Sequence, residues 1–365
     1  QFQAYIDGNP VPWNTPIPLA AGIHTASEDT LPGYQASDWS NACAPNGTVI
    51  LNPGDQLTCE VTNDDIGPTL NLVIDVINDN GGTVQPSAWT LTASGPTGFS
   101  GQGPSVPSAA GFKAGTYDLS RSSQVGYSTS DWVCVGGTQD DGNTVTLAPG
   151  ESSTCTITTD DVSGTIRVIK SIINDNGGTV TDPDAFGLKV DNTIVLNNVA
   201  TPFDAGNHTL SEVGLPGYVP STWSGGCNAD GTADLQLAQT LTCLITNDDT
   251  DSTSLTLVKQ IINNNGGLAE GSDWTLTATG LTGFSDAGPV VSNQPGFSAG
   301  TYDLSETGPP GYTSGNWVCV GGTQDDTDTI TLALGEAATC TITSDDDTVG
   351  LSLNKVVTNN NGGTA

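Results

Sequence analysis

The chain of 365 residues holds 46 Gly, 21 Pro, no Met and a formal net charge of −33. So acidic a chain argues against nucleic acid and anionic membrane as partners, both of which need basic surfaces. No apolar run is long enough for a membrane span, yet Val, Ile, Leu and Thr are too plentiful for a disordered acidic chain.

Four repeats follow one another. The first, residues 1–65, ends Thr58-Cys59-Glu60-Val61-Thr62-Asn63-Asp64-Asp65, and matching endings close 66–161, 162–249 and 250–346. Midway through each, a Gly-Tyr pair precedes a Trp: Tyr34 and Trp39, Tyr127 and Trp132, Tyr218 and Trp223, Tyr312 and Trp317. The second to fourth repeats open with an alternating apolar run into an Asn-Gly-Gly turn: Leu70 to Gly82, Ile166 to Gly178 and Leu255 to Gly267. Residues 347–365 repeat that opening once more, from Leu351 to Gly363. Period-two alternation, turns rich in Gly, Pro, Asn and Asp, and no helical periodicity predict an all-β chain of tandem Ig-like sandwiches. Joints of a few residues predict an extended rod.

The eight cysteines fall as Cys43/Cys59, Cys134/Cys155, Cys227/Cys243 and Cys319/Cys340, one pair per repeat. The spacings are wide for metal ligation and only His24 and His208 could assist, so a disulfide in each repeat is expected, outside the reducing cytosol. His24 and His208 stand where the other repeats have Tyr117 and Tyr302 and read as packing variants. Six of the seven Trp sit at repeat landmarks and are expected in cores, leaving Trp13 for a surface or joint.

Three of the five Lys share one repeat position: Lys170, Lys259 and Lys355, four residues before the Asn that opens the turn. Alternation puts this side chain on the apolar face, where the second repeat has Ile74. Two further positions vary with it, Glu28, Arg121, Glu212 and Glu306 after the middle strand, and Asn63, Thr159, Asn247 and Ser344 near the end. The third repeat therefore has Lys170, Glu212 and Asn247, while the first has Glu28 and Asn63 with Lys355 as the matching amine.

Lys on the first strand, Asn near the end of the last and a carboxylic acid between them resembles the isopeptide-forming, prealbumin-like (collagen-adhesin B-type) domains of Gram-positive pilins and surface proteins. The resemblance implies a buried neutral amine attacking the Asn side chain with loss of ammonia, the acid polarising the carbonyl. Lys170–Asn247 with Glu212 would close within a subunit, and Lys355–Asn63 with Glu28 between subunits. The same residues also permit a buried Lys-Glu ion pair with Asn as a hydrogen-bond partner.

Four residues separate the Gly-Gly turn segment from Trp89 and Trp274, and five from Phe186, whereas joining Ala365 to Gln1 leaves one before Phe2. Two chain ends meeting there, rather than one interrupted repeat, is the expectation. Residues 347–365 then act as a donor strand completing residues 1–65 of the next identical subunit, head to tail. Without a signal peptide or initiator Met, the sequence reads as a mature or excised form.

Weaker signals remain open. Asp79, Asp160 and Asp161, and likewise Asp175, Asp248 and Asp249, cluster as oxygen ligands for calcium would, or serve as Asx turns. Asn46 and Asn207 lie in glycosylation sequons. Nothing resembles an enzyme site, and no other cofactor is expected. The expected function is mechanical, an extracellular pilus-like filament; the alternative is the stalk of a long cell-surface adhesin.

Overall fold

The computed structural model describes residues 1–364. Its elements are strands and three short 3-10 turns. The chain divides into two compact units, one of Gln1–Thr165 with 202–206 and 235–239, the other of the remainder.

In the first unit, residues 1–65 form a four-stranded sheet in the spatial order Asn9–Val11, Ala4–Ile6, Gly22–Glu28, Thr48–Leu51. The hairpin at its edge turns on Asp7 and Gly8, both at positive φ (51° and 77°), the two-residue turn whose twist suits paired strands. The facing layer is reduced to two short ladders, Tyr34–Ala36 with Asn63–Asp65 and Ser40–Asn41 with Cys59–Glu60.

Residues 66–161 form a complete sandwich of a five-stranded and a four-stranded sheet. Its opening strand, Thr69–Ile77, runs parallel to the closing strand, Ser152–Asp161, with Leu72 opposite Cys155 and Ile74 opposite Ile157. Tyr127–Val135 covers the other edge of the closing strand. Alternation along the opening strand buries Leu70, Leu72 and Ile74 against Trp89, Leu91, Tyr117, Trp132 and Leu147. All are at most 3% exposed.

The third and fourth repeats follow the same plan. In the third repeat Gly164–Ile173 lies beside Thr240–Asp249 in one sheet, opposite a sheet built on Gly206–Ser211. In the fourth, Ser254–Ile262 pairs in parallel with Ala337–Asp346, with Leu257 opposite Cys340 and Lys259 opposite Ile342. Residues 349–364 contain no strand, and Leu351, Leu353 and Val356 are exposed. A strand is held by ladder hydrogen bonds to a neighbour, and among the described residues none pairs with this segment.

All four expected disulfides form: Cys43–Cys59, Cys134–Cys155, Cys227–Cys243 and Cys319–Cys340. The two spacings correspond to two placements, a difference that pairing within repeats did not disclose. Cys134 faces Cys155, and Cys319 faces Cys340, directly across adjacent antiparallel strands, with Cα atoms 4.0 Å apart. Cys59 and Cys243 are not faced by their partners. In the ladder Cys59 stands opposite Asn41 and Cys243 opposite Gly225, while Cys43 and Cys227 reach them from the loops that follow. Cα separations of 5.1 and 5.2 Å reflect that route. Cys243 is fully buried, as are Cys155 and Cys340, whereas Cys59 is only half-buried in its thin layer.

His24 and His208 bond Asp7 and Asp191 of the adjacent hairpin at 2.7 and 2.6 Å, a structural role at the position where Tyr117 and Tyr302 pack. Of the landmark Trp, Trp89, Trp132, Trp274 and Trp317 are buried, Trp39 and Trp223 are half-buried, and Trp13 is exposed.

Candidate functional site

In the third repeat, alternation along Gly164–Ile173 turns Lys170 into the core beside Ile166 and Val168, leaving it 4% exposed. Its Nζ donates to Glu212 Oε2 and lies 4.3 Å from the centre of the Phe186 ring. Asn247, fully buried on the closing strand, donates from Nδ2 to Glu212 Oε1 at 2.7 Å. The same strand is tethered at Cys243, upstream of Asn247, through its bond to Cys227. The Asn247 side-chain oxygen Oδ1 is buried without a hydrogen-bond partner among the described residues, which is costly for a polar atom. Burial pushes the Lys170 amine below its ordinary value, and the Glu212 contact opposes this. Lys170 and Asn247 thus share one carboxyl group, the desolvated amine on one oxygen and the amide Nδ2 on the other, while the amide oxygen is left over. Turning the Asn247 amide over would place that oxygen, in place of Nδ2, against Glu212.

The fourth repeat holds the same frame with a different terminus. Lys259, also buried, donates to Glu306 at 2.6 Å and to Ser344, and sits 4.7 Å over the Trp274 ring. Ser344 donates to Glu306 at 2.8 Å and has no amide to attack. Burial lowers Lys259 as it lowers Lys170. In the second repeat Ile74 fills the lysine's place, Arg121 bonds Thr129 and Ser122, and Thr159 bonds the Ser128 carbonyl.

The first repeat contains everything except the amine. Asn63 Nδ2 donates to both oxygens of Glu28 at 2.9 Å. Phe2 meets Tyr34 edge to face at 5.4 Å, matching Phe186 against Tyr218 at 5.5 Å and Trp274 against Tyr312 at 5.1 Å. Glu28, Asn63, Tyr34, Leu31 and Trp39 line an open cleft of about 280 Å³. Lys355 is exposed on the terminal segment.

The aromatic floor under each amine was missed in the sequence. Its signal was available: Phe2, Trp89, Phe186 and Trp274 occupy one repeat position, but spacing does not say what a ring will touch. A ring face beneath an ammonium adds a favourable electrostatic contact in a dry site.

Carboxylate oxygens of Asp79, Asp160 and Asp161, and of Asp175, Asp248 and Asp249, lie within 4.8 Å of one another. Asp161 is already engaged by the N–H groups of Asp79, Asn80 and Gly82 at 2.5 to 3.0 Å. Against the opposing effect of burial, these donors hold Asp161 below its ordinary value. Asp249 clamps Asp175, Asn176 and Gly178 in the same way, and Asp346 clamps Asn264, Asn265 and Gly267. Desolvation, with the nearby charges of Asp160 and Asp161, raises Asp79.

The prealbumin-like fold domain model matches residues 7–61, 65–157, 161–245 and 249–342. The chain belongs to the prealbumin-like fold domain family. No curated protein matches it. Among solved structures, the chain is similar to the TIE protein of Bacillus anthracis, at 10% identity over 95% of this chain and 66% of that one, with a TM-score of 0.48. It is also similar to the pilus adhesin SpaC of Lactobacillus rhamnosus GG, at 12% identity over 85% and 48% of the two chains, TM-score 0.29. The chain thus spans less than two thirds of either relative. The two B repeat units of the collagen binding protein of Staphylococcus aureus match at 12% identity over 94% and 93%, TM-score 0.22. Among the described residues, no helix is long and apolar enough to cross a membrane.

Proposed function

We propose that this chain is the structural subunit of an extracellular, pilus-like filament in which residues 351–364 of one copy complete the first repeat of the next. One contrast carries the reading. Leu70 and Leu72, and Leu255 and Leu257, are at most 1% exposed in their sandwiches, whereas Leu351 and Leu353 at the same repeat positions are 88% exposed. Correspondingly, the buried apolar residues of 1–65 are Ala4 and Cys43 alone, among the described residues. An open sheet edge beside an emptied core, and an apolar strand without a sheet, are complementary halves.

In the parallel register of the complete repeats, Leu353 falls opposite Cys59 and Lys355 opposite Val61. That register delivers the amine to Glu28, Asn63 and the Phe2 ring. The Lys355 Nζ–Asn63 Cγ bond then forms, the Cγ–Nδ2 bond breaks, and the proton shed by the amine leaves with the nitrogen as ammonia, relayed by Glu28. Lys170 and Asn247 react likewise within each subunit. Each reaction happens once, so the chain is not an enzyme. Because giver and receiver surfaces differ, the contact propagates as a filament. The disulfides agree with an extracellular setting.

The test is electron microscopy of purified chain, followed by boiling in detergent with reductant. Filaments are expected, with a ladder of multimers after boiling that collapses to monomer for Lys355→Ala and for Asn63→Ala. A chain that stays monomeric at every concentration overturns the reading. It would then be a stalk segment of a longer surface protein, its first repeat completed within one polypeptide.

A further inference from the structure

In three repeats one tyrosine and one aspartate close the turn that follows the opening strand. Tyr127, Tyr218 and Tyr312 stand directly opposite Asp161, Asp249 and Asp346 in antiparallel register. Each tyrosine hydroxyl donates to the side-chain oxygen of the first turn Asn: Asn78 at 2.5 Å, Asn174 at 2.6 Å and Asn263 at 2.7 Å. Each aspartate accepts the next two backbone N–H groups and that of the second Gly. The second Gly is held so closely that a Cβ on Gly82, Gly178 or Gly267 would lie 2.3 to 2.4 Å from the tyrosine oxygen.

The first repeat has this pair with no turn in it. Tyr34 stands opposite Asp65 in the same register. Neither side chain has a hydrogen bond among the described residues; Tyr34 is 38% exposed, and Asp65 is exposed where Asp161 and Asp249 are each 3% exposed. The same turn sequence recurs as Asn359-Asn360-Asn361-Gly362-Gly363, where among the described residues no aspartate takes the N–H groups of Asn360, Asn361 and Gly363. It is already shaped for a clamp: Gly362 has φ +82°, against +89°, +96° and +95° at Gly81, Gly177 and Gly266.

We propose that Tyr34 and Asp65 are a docking clamp for the Asn359–Gly363 turn of a second copy. Asp65 accepts the N–H groups of Asn360, Asn361 and Gly363, and Tyr34 donates to the Asn359 side-chain carbonyl. The ligand is a peptide strand ending in an Asn-x-Asn-Gly-Gly turn, recognised by backbone donors and by the space a hydrogen side chain leaves. The clamp rests on the strand-donation reading but is separate from the crosslink. It sets the register, and Lys355, four residues upstream, reaches Glu28 and Asn63 only in that register. A folded turn also lowers the ordering cost of docking.

The experiment titrates a fluorescent peptide of residues 349–365 against the full chain carrying Asn63→Ala, so that binding is reversible, and reads anisotropy. Asp65→Asn and Tyr34→Phe are each expected to weaken binding by about tenfold or more, the worth of a hydrogen bond to a charged or buried partner. A Gly363→Ala peptide, which leaves the fold of the receiving chain untouched, is expected to lose as much. If the parent chain binds and all three changes stay within about twofold, the clamp is overturned while strand donation stands. If neither the Asn63→Ala chain nor the unmodified chain binds the peptide, strand donation fails and the clamp with it.

Discussion

Glu212 takes a hydrogen bond from Asn247 on one carboxylate oxygen and from Lys170 on the other, whereas Glu28 gives both of its oxygens to Asn63. One carboxyl group therefore serves two partners in the third repeat and waits on a second in the first.

With its disulfides reduced, the monomeric chain is expected to weigh less than its sequence by one ammonia, from the Lys170–Asn247 bond. Lys170→Ala, Asn247→Ala and Glu212→Ala should each restore the full mass, the last because it removes the proton relay. Losing a link across a loop of this size should cost about 4 kcal/mol of stability on the chain-entropy estimate. A wild-type mass equal to the sequence mass leaves only the ion pair.

Ser344→Asn should create a new crosslink in the fourth repeat, where Lys259, Glu306 and the Trp274 ring are in place. Peptide mapping should find Lys259 joined to position 344 and one further ammonia lost. Packing the larger side chain opposes the change by about 1–3 kcal/mol. A folded variant without the link would show that these three groups do not suffice.

Acid should loosen the turns of the second and fourth repeats. Asp161 and Asp346 are held below their ordinary value of 3.8 by turn N–H groups, against the opposing effect of burial. Between the lowered and ordinary values the folded state binds fewer protons than the unfolded chain, so stability falls as pH falls. Their contribution is complete above pH 3.8 and fades as pH drops through the lowered values. Amide exchange at Asn80, Gly82, Asn265 and Gly267 against pH measures this, and Asp161→Asn should remove the dependence at Asn80 and Gly82.

Gly178→Ala should destabilise the third repeat by about 1–3 kcal/mol, the usual cost of overpacking. The new methyl would meet the Tyr218 hydroxyl at 2.4 Å and Asp249 at 2.8 Å. Thermal unfolding of the variant checks it, and Gly214→Ala, with open space around its Cβ site, is the control.

Calcium separates two uses of the acidic clusters. Because Asp161 and Asp249 already bind turn N–H groups, the clamp predicts no change in thermal midpoint on adding calcium. A rise that Asp79→Asn and Asp175→Asn abolish would assign the clusters to the ion.

Much of this was legible in the chain itself. Period-two alternation placed Lys170 and Lys259 inside, because side-chain direction along a strand depends on parity alone. Four repeats compared with one another aligned Lys, Glu and Asn, and paired the cysteines within repeats. What parity cannot supply is contact between residues far apart in sequence. That Phe186 lies under Lys170, that Cys243 takes its partner from a loop where Cys155 takes one from a strand, that Asp161 accepts the N–H groups of the turn, and that Tyr34 stands opposite Asp65 follow from strand pairing and layer packing. Only the folded chain also shows which apolar surfaces are covered. Leu353 and Leu257 occupy the same repeat position, and one is exposed while the other is buried because a strand buries its side chains only when a sheet accepts its backbone.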